Sequence, residues 1–217
     1  MSASASREDL VKALYMLDDE TSDKRNWIST KDLAELLAVK PPSVTSMLHV
    51  LVELGWVEHR PYRGARLTLT GHNLALSLVR KHRLWETFLV HHLGFPWEEV
   101  HDIAEQLEHI DSLELVNRLD AYLGNPVYDP HGDPIPNAQG AFSDDRKLVP
   151  LYSYDSELPC RVGGVRNGSN DILAALSARG IELGTVLQKE DAHQLPLSLA
   201  EEILVHAMIE ETPKDHE

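Results

Sequence analysis

The chain has 217 residues, 42% of them hydrophobic and 25% charged, and a formal net charge of −15 at pH 7. That is the balance of an ordinary globular protein of one large domain or two to three small ones, and no apolar run approaches the ~18 residues of a membrane span. A single cysteine, Cys160, excludes an internal disulfide framework.

The N-terminus lacks the basic-then-apolar pattern of a secretory signal, so the expected location is a reducing cytoplasm. Arg7 to Leu17 carries Leu10, Val11, Leu14 and Leu17 at helical period. Asp18 to Asn26 reads as a polar turn. Ser29 or Thr30 caps a short helix over Lys31–Leu37, and the stretch Val39–Pro42 breaks it. Ser43 restarts a helix with Val44, Met47, Leu48, Leu51 and Leu54 on one side, closed by Gly55. Two short extended runs then flank a turn at Arg63–Gly64. Helix, helix, turn, helix and hairpin is the order of a winged helix-turn-helix.

Three helices are expected next, from Thr70 through Val90, from Trp97 to His109 and from Ser112 to Leu123. Residues 124–145 crowd together Gly124, Pro126, Pro130, Gly132, Pro134, Pro136 and Gly140, and read as a linker. The remainder reads as a small, mostly β unit. Its extended runs are Leu148–Tyr154, Cys160–Val165 and Val186–Lys189, with a helix at Asp171–Arg179 and a frayed tail over Pro213–Glu217. The expected class is mainly α with small β elements, divided into 1–70, 71–143 and 144–217.

Total charge argues against nucleic-acid binding, but its distribution does not. From Lys40 to Arg83 there are seven Lys and Arg residues against Glu53 and Glu58, and DNA needs only a local positive surface. Pro42, Ser43, Thr45 and Ser46 open the candidate recognition helix, with His49 one turn on. Short hydroxyl side chains there can reach phosphates and base edges. Arg60, Arg63 and Arg66 fall on the wing, within reach of phosphates or the minor groove. Taken alone, Ser43 could merely cap a helix and the arginines coat a surface; the whole head with its local charge favours DNA.

A second chemistry lies in the middle. His101, Glu105, Glu108 and His109 recur at i, i+4, i+7 and i+8, one face of a helix, and His82 with Glu86 form another i, i+4 pair. Such stripes on neighbouring helices can build a divalent-metal site. Carboxylate and imidazole without thiolate suit Mn2+ or Fe2+, and also Zn2+ or Co2+. Glu98-x-x-His101 occurs once, where di-metal carboxylate enzymes need it twice. No His-Glu-x-x-His is present, so a zinc protease is not expected.

Leu14-Tyr-Met-Leu17, Pro42-Ser-Val-Thr45, Leu67-Thr-Leu-Thr-Gly71, Arg80-Lys-His-Arg-Leu-Trp-Glu86 and Val100-His-Asp with Leu107-Glu-His109 together resemble the diphtheria-toxin-repressor and manganese-transport-regulator family. The resemblance runs from about Asp9 to the last strand. It implies a metal-activated homodimeric repressor with a helical dimerisation domain, a C-terminal SH3-like (FeoA-like) domain and a palindromic operator in double-stranded DNA. It implies a primary site of Asp9, Glu105, Glu108 and His109, and an ancillary site of His82, Glu86 and His101, with Asp171 a candidate to complete it. Carboxylates at Asp9 and Glu105 resemble the manganese-responsive branch rather than the iron branch. Mn2+ or Fe2+ at two sites per subunit is expected, with Zn2+, Co2+ or Cd2+ able to substitute in vitro. Lys12 stands where binuclear members carry a glutamate, which favours two separate sites over a bridged pair. Asp129 and His131 fall where some members place further ligands, or simply form a Pro/Gly turn. Leu74–Leu93 and Leu113–Leu119 are candidate faces for the two-fold interface. Two rival readings are a winged-helix sensor of an organic ligand and a divalent-metal hydrolase; the second would need an open coordination position and a substrate pocket.

Overall fold

The computed structural model describes residues 5–19, 27–144, 146–166 and 168–207. Its head comprises α1 (Ala5–Asp19), α2 (Thr30–Leu36), α3 (Pro41–Glu53) and the hairpin β1 (Val57–Arg60) and β2 (Gly64–Leu67). Leu10, Val11 and Leu14 of α1, Leu33 of α2, Val44, Leu48 and Leu51 of α3, and Val57 and Ala65 of the hairpin close one buried core. Ser29 caps α2 by accepting from the Asp32 N–H. The chain before it adds a third segment to the hairpin, because Ile28 and Ala65 exchange backbone hydrogen bonds of 2.8 and 2.9 Å. Only glycine fits beside this crossing: a Cβ on Gly64 would lie 2.1 Å from the Ile28 carbonyl oxygen.

Helix α3 begins two residues before Ser43. Pro41 and Pro42 occupy its first positions behind Lys40, where an N–H would have no partner in any case, so these prolines start a helix; α2 has already ended at Leu36, with Ala38 at φ 51°. The hairpin turn is 61–63, with Tyr62 at φ 62° and fully exposed, and Gly64 already belongs to β2.

Helix α4 (Leu69–Leu93) spans 25 residues, or about 37 Å. Thr68 caps it, accepting from the Gly71 N–H, and Gly94 ends it in the left-handed conformation. Helices α5 (His101–Leu107) and α6 (Leu113–Tyr122) pack along it. Helix α5 is shorter than its periodicity implies: Trp97 to Val100 form a turn after Pro96, and His109 lies beyond the helix end. Trp97 is instead buried in the core of the last unit, with its indole N–H donating to Ser177 Oγ at 2.6 Å.

That last unit holds β3 (Val149–Pro150), β4 (Cys160–Val165), α7 (Asn170–Ser177), β5 (Val186–Leu187), α8 (Lys189–Gln194), α9 (Leu197–Ala200) and β6 (Ile203–Ala207). Its antiparallel sheet has the order β3-β6-β4-β5. Residues 148–154 are extended only briefly before a 3-10 turn at Leu151–Ser153, and the run from Val186 gives way to α8 at Lys189. The tail over 213–217 lies outside the described residues.

Residues 124–144 are not a free linker. Asp129, His131 and Ile135 are buried there. Gly132 (φ 91°) lies so close to β4 that a Cβ would sit 2.3 Å from the Gly163 carbonyl oxygen, and Arg146 donates to the carbonyls of both glycines. Turn-forming residues allow a tight reversal, and the side chains between them fill it. Gly132→Ala should therefore lower stability by about 2 kcal/mol or more, read by urea denaturation. An unchanged midpoint would show that this segment is not held against β4.

Candidate metal centre

Three helices bring the ionisable groups together. Helix α1 carries Asp9 and Lys12, α4 carries His82 and Glu86 one turn apart and buried, and α5 with its C-terminal turn carries His101, Glu105, Glu108 and His109. The single stripe of the sequence divides at this junction. His109 turns to α1, its Nε2 3.0 Å from Asp9 Oδ1 and its Nδ1 2.7 Å from Glu8 Oε2. Glu108, only 1% exposed, accepts from Lys12 Nζ at 2.6 Å and meets His82 Nδ1 at 2.6 Å. His101 turns to α4, with its Nδ1 3.2 Å from His82 Nε2 and 3.5 Å from Glu86 Oε1.

Asp9, Glu108 and His109 form one group of donors, and His82, Glu86 and His101 a second. Glu86, Asp129 and His131 make a third, wholly buried. Within each, the ligand atoms lie within 4.8 Å of one another, a span one divalent ion bonded at about 2.0–2.2 Å could draw together. The chemistry of the third group is well prepared. His131 Nε2 lies 2.8 Å from the Trp97 carbonyl, which can only accept, so that nitrogen holds a proton and Nδ1 faces Glu86. Asp129 accepts from the backbone N–H groups of His131 and Asp133 through one oxygen. Its other oxygen stands 3.6 Å from Arg83 Nε.

The protons tell the same story. Hydrogen bonds to Glu105 and Glu86 push His101 up to about 10. Burial works against His131, yet Glu86 and Asp129 raise it to about 9. Burial likewise opposes His82, but Glu86 and Glu108 carry it above the ordinary imidazole value. The carboxylates move the other way: His101 holds Glu105 down at about 2, and Glu86 and Glu108 fall despite burial because His82 faces both. Asp129 is the exception, raised to about 7 by burial and by Glu86. Asp9 is also raised, by burial first. Imidazolium thus supplies the positive charge these carboxylates require.

Glu105 is not brought to Asp9. Its carboxylate lies 3.4 Å from His101 Nε2 and is largely exposed. Asp171 is exposed in the first turn of α7 and stands outside all three groups. One participant escapes sequence reasoning. Glu8 precedes Asp9 and reaches the same imidazole. Asp129 and His131, which the family resemblance offers as further ligands, sit in a Pro/Gly run whose composition signals only a turn; their Asp-x-His spacing is the one hint in the chain itself that they could act together.

On the head, Pro42, Ser43, Ser46 and His49 are exposed on α3 and Thr45 is half-buried. The Thr45 and Ser46 hydroxyls donate to the carbonyls of Pro41 and Pro42. On the hairpin, Arg60 and Arg63 are exposed, while half-buried Arg66 donates twice to Glu58 Oε2, at 3.1 and 2.7 Å.

A winged head joined to a carboxylate–imidazole junction defines a class of metal-dependent regulators. Residues 3–65 match the iron dependent repressor N-terminal DNA binding domain, and residues 68–137 its metal binding and dimerisation domain. The iron-dependent repressor IdeR of Mycobacterium tuberculosis (strain ATCC 25618 / H37Rv) is 39% identical over 136 residues, 60% of this chain and 59% of that protein. The regulator MntR of Bacillus pumilus (strain SAFR-032) is 35% identical over 114 residues, 52% of this chain and 76% of that protein. A solved manganese-dependent transcriptional repressor in complex with manganese superposes with a TM-score of 0.75 at 31% identity, covering 93% of this chain and all of the other. The chain belongs to the iron-dependent repressor family. It spans 59% of the length of the mycobacterial relatives it matches.

Two outcomes are expected of the junction. A bound ion needs neutral imidazole, whereas His101 and His131 hold their protons up to about 10 and about 9. Ion binding must therefore release protons, and affinity must fall as pH falls. Calorimetry of Mn2+ binding near pH 7 in buffers of different ionisation enthalpy should show net release; a buffer-independent heat would contradict this. Lys12→Met removes the ammonium from buried Glu108 and should cost the metal-free protein roughly 3 kcal/mol. A loss below about 1 kcal/mol in urea denaturation would mean His82 suffices for Glu108.

Proposed function

We propose that this chain is a homodimeric DNA-binding repressor that a divalent cation switches on, Mn2+ or Fe2+ being the physiological choice. The observation that carries the proposal is that Asp9 belongs to the reading head while Glu108 and His109 belong to the body, yet their donor atoms converge. A bound cation supplies positive charge that carboxylate and imidazole from both parts share. Asp9 then ties α1, and with it α3 and the hairpin, to the end of α5. Metal favours the DNA-competent posture only as far as these residues grip it better there.

Glu105 is not counted in this set, since it faces His101. A second ion is held around Glu86, by His82 and His101 or by Asp129 and His131. Glu86 is common to both groups, its Oε1 facing His82 and His101 and its Oε2 facing His131. Zn2+, Co2+ and Cd2+ suit the same donors and substitute in vitro. Exposed Leu113, Leu115 and Tyr122 on α6 and Leu93 on α4 offer the apolar face for a second copy, and two heads then read a palindromic operator in successive major grooves. The cell's cytoplasm, where DNA and free divalent ions meet, is the proposed location.

Asp9→Ala should abolish Mn2+ stimulation of promoter binding while leaving the circular dichroism spectrum intact; retained stimulation would remove Asp9 from the switch. Arg63→Ala should weaken DNA binding across sequences and lower the salt slope by about 1. An unaffected slope in salt titrations would mean that this residue makes no phosphate contact. An organic-ligand sensor would ignore Mn2+ in the first assay.

A further inference from the structure

We propose that Trp27 is a positioning residue at the DNA interface, its indole gathering the three hairpin arginines into one phosphate-binding patch. The guanidinium carbons of Arg60, Arg63 and Arg66 lie 4.8, 5.1 and 4.8 Å from the centroid of that one ring. The backbone explains how. Residues directly opposite in an antiparallel pair share a face, and faces alternate along each strand. The register Glu58↔Arg66 and Arg60↔Gly64 therefore puts Glu58, Arg60 and Arg66 on the side away from the core residues Val57 and Ala65. The bridge Ile28↔Ala65 then sets Trp27 beside Arg66 on that same outer side. Arg63 comes over from the turn.

Three cations around one ring repel each other. The negative π face offsets part of that repulsion, more strongly for Trp than for Tyr or Phe. Glu58 neutralises Arg66 alone; among the described residues Arg60 and Arg63 form no ion pair. Two guanidiniums stacked in place, with their donor edges uncommitted, match the geometry and charge of a phosphodiester. Holding them on the ring before DNA arrives reduces the side-chain freedom lost on binding. A purely structural Trp27 would change stability on substitution without changing the salt slope of DNA binding.

The inference rests on the head binding DNA, and its test separates the two ideas. The Mn2+-saturated full chain and its variants are titrated with a random-sequence duplex of about 30 base pairs, long enough for two heads one helical turn apart. Trp27→Leu should bind on the order of ten-fold more weakly at low salt, with a slope of log K against log salt shallower by about 1. Trp27→Phe should retain most of both. Melting temperature and Mn2+ stoichiometry should match the wild type. Arg60→Ala should cost less in the Trp27→Leu background than alone, because the two share one contact. Should leucine unfold the head, Trp27→Met, which also removes the π face, takes its place in the cycle, and Arg60→Ala must again cost less. Wild-type affinity and slope in Trp27→Leu, or full additivity with Arg60→Ala, would overturn the proposal while leaving DNA binding standing. Failure of the wild-type protein to bind duplex with any metal would overturn both.

Discussion

A carboxylate sealed between helices must be matched by positive charge, and Glu108 meets that demand from two directions. Lys12 reaches it from the head and His82 from the body, each at 2.6 Å. Buried ion pairs add little net stability over apolar packing, but breaking one is costly. Their value here is placement: the pair fixes where α1 meets the end of α5, and so where Asp9 stands relative to His109. Lys12 also touches His82, its ammonium 3.1 Å from Nδ1, while Glu108 of the Asp9 group meets the same nitrogen at 2.6 Å. The two candidate groups therefore touch through Glu108 and His82.

From Glu108 the polar groups continue without a break. His82 passes to Glu86, Glu86 to His101 and His131, and His131 to the carbonyl of Trp97. Trp97 then reaches Ser177 of α7. Contacts thus lead from the head, through the metal-capable groups, to the C-terminal sheet unit. Low dielectric strengthens each link and makes each unpaired member expensive. A change of charge at Glu86 would be felt on both sides. The head itself is firm by other means, through its own apolar core and the Gly64 crossing, so the junction can act on it as a unit.

The winged head was legible because its signals are local. Helical periodicity in α1 and α3, a hydroxyl cap at Ser29 and a glycine in the hairpin each act over a few residues. The candidate metal centre was legible in part for the same reason: His82 and Glu86 are one helical turn apart, and so are His101 and Glu105. Asp9 could be named only through family resemblance, since nothing near it in the chain marks it. The run 124–144 misled because Pro and Gly report where the backbone turns, not whether the turn is buried.

Residue spacing therefore determined which side chains could share a face, how the local charge is distributed, and that carboxylate and imidazole, not thiolate, would meet any ion. Tertiary packing decided how those donors are partitioned. It sent His101 to Glu86 and His109 to Asp9, added Glu8, and folded Asp129 and His131 in beside Glu86. It also laid three arginines against Trp27. The physical reason is range. Helical and strand periodicity fix neighbours within a turn or a rung, whereas a buried charge takes its partner from whichever element the core brings within hydrogen-bonding distance, more than ninety positions away for Lys12 and Glu108.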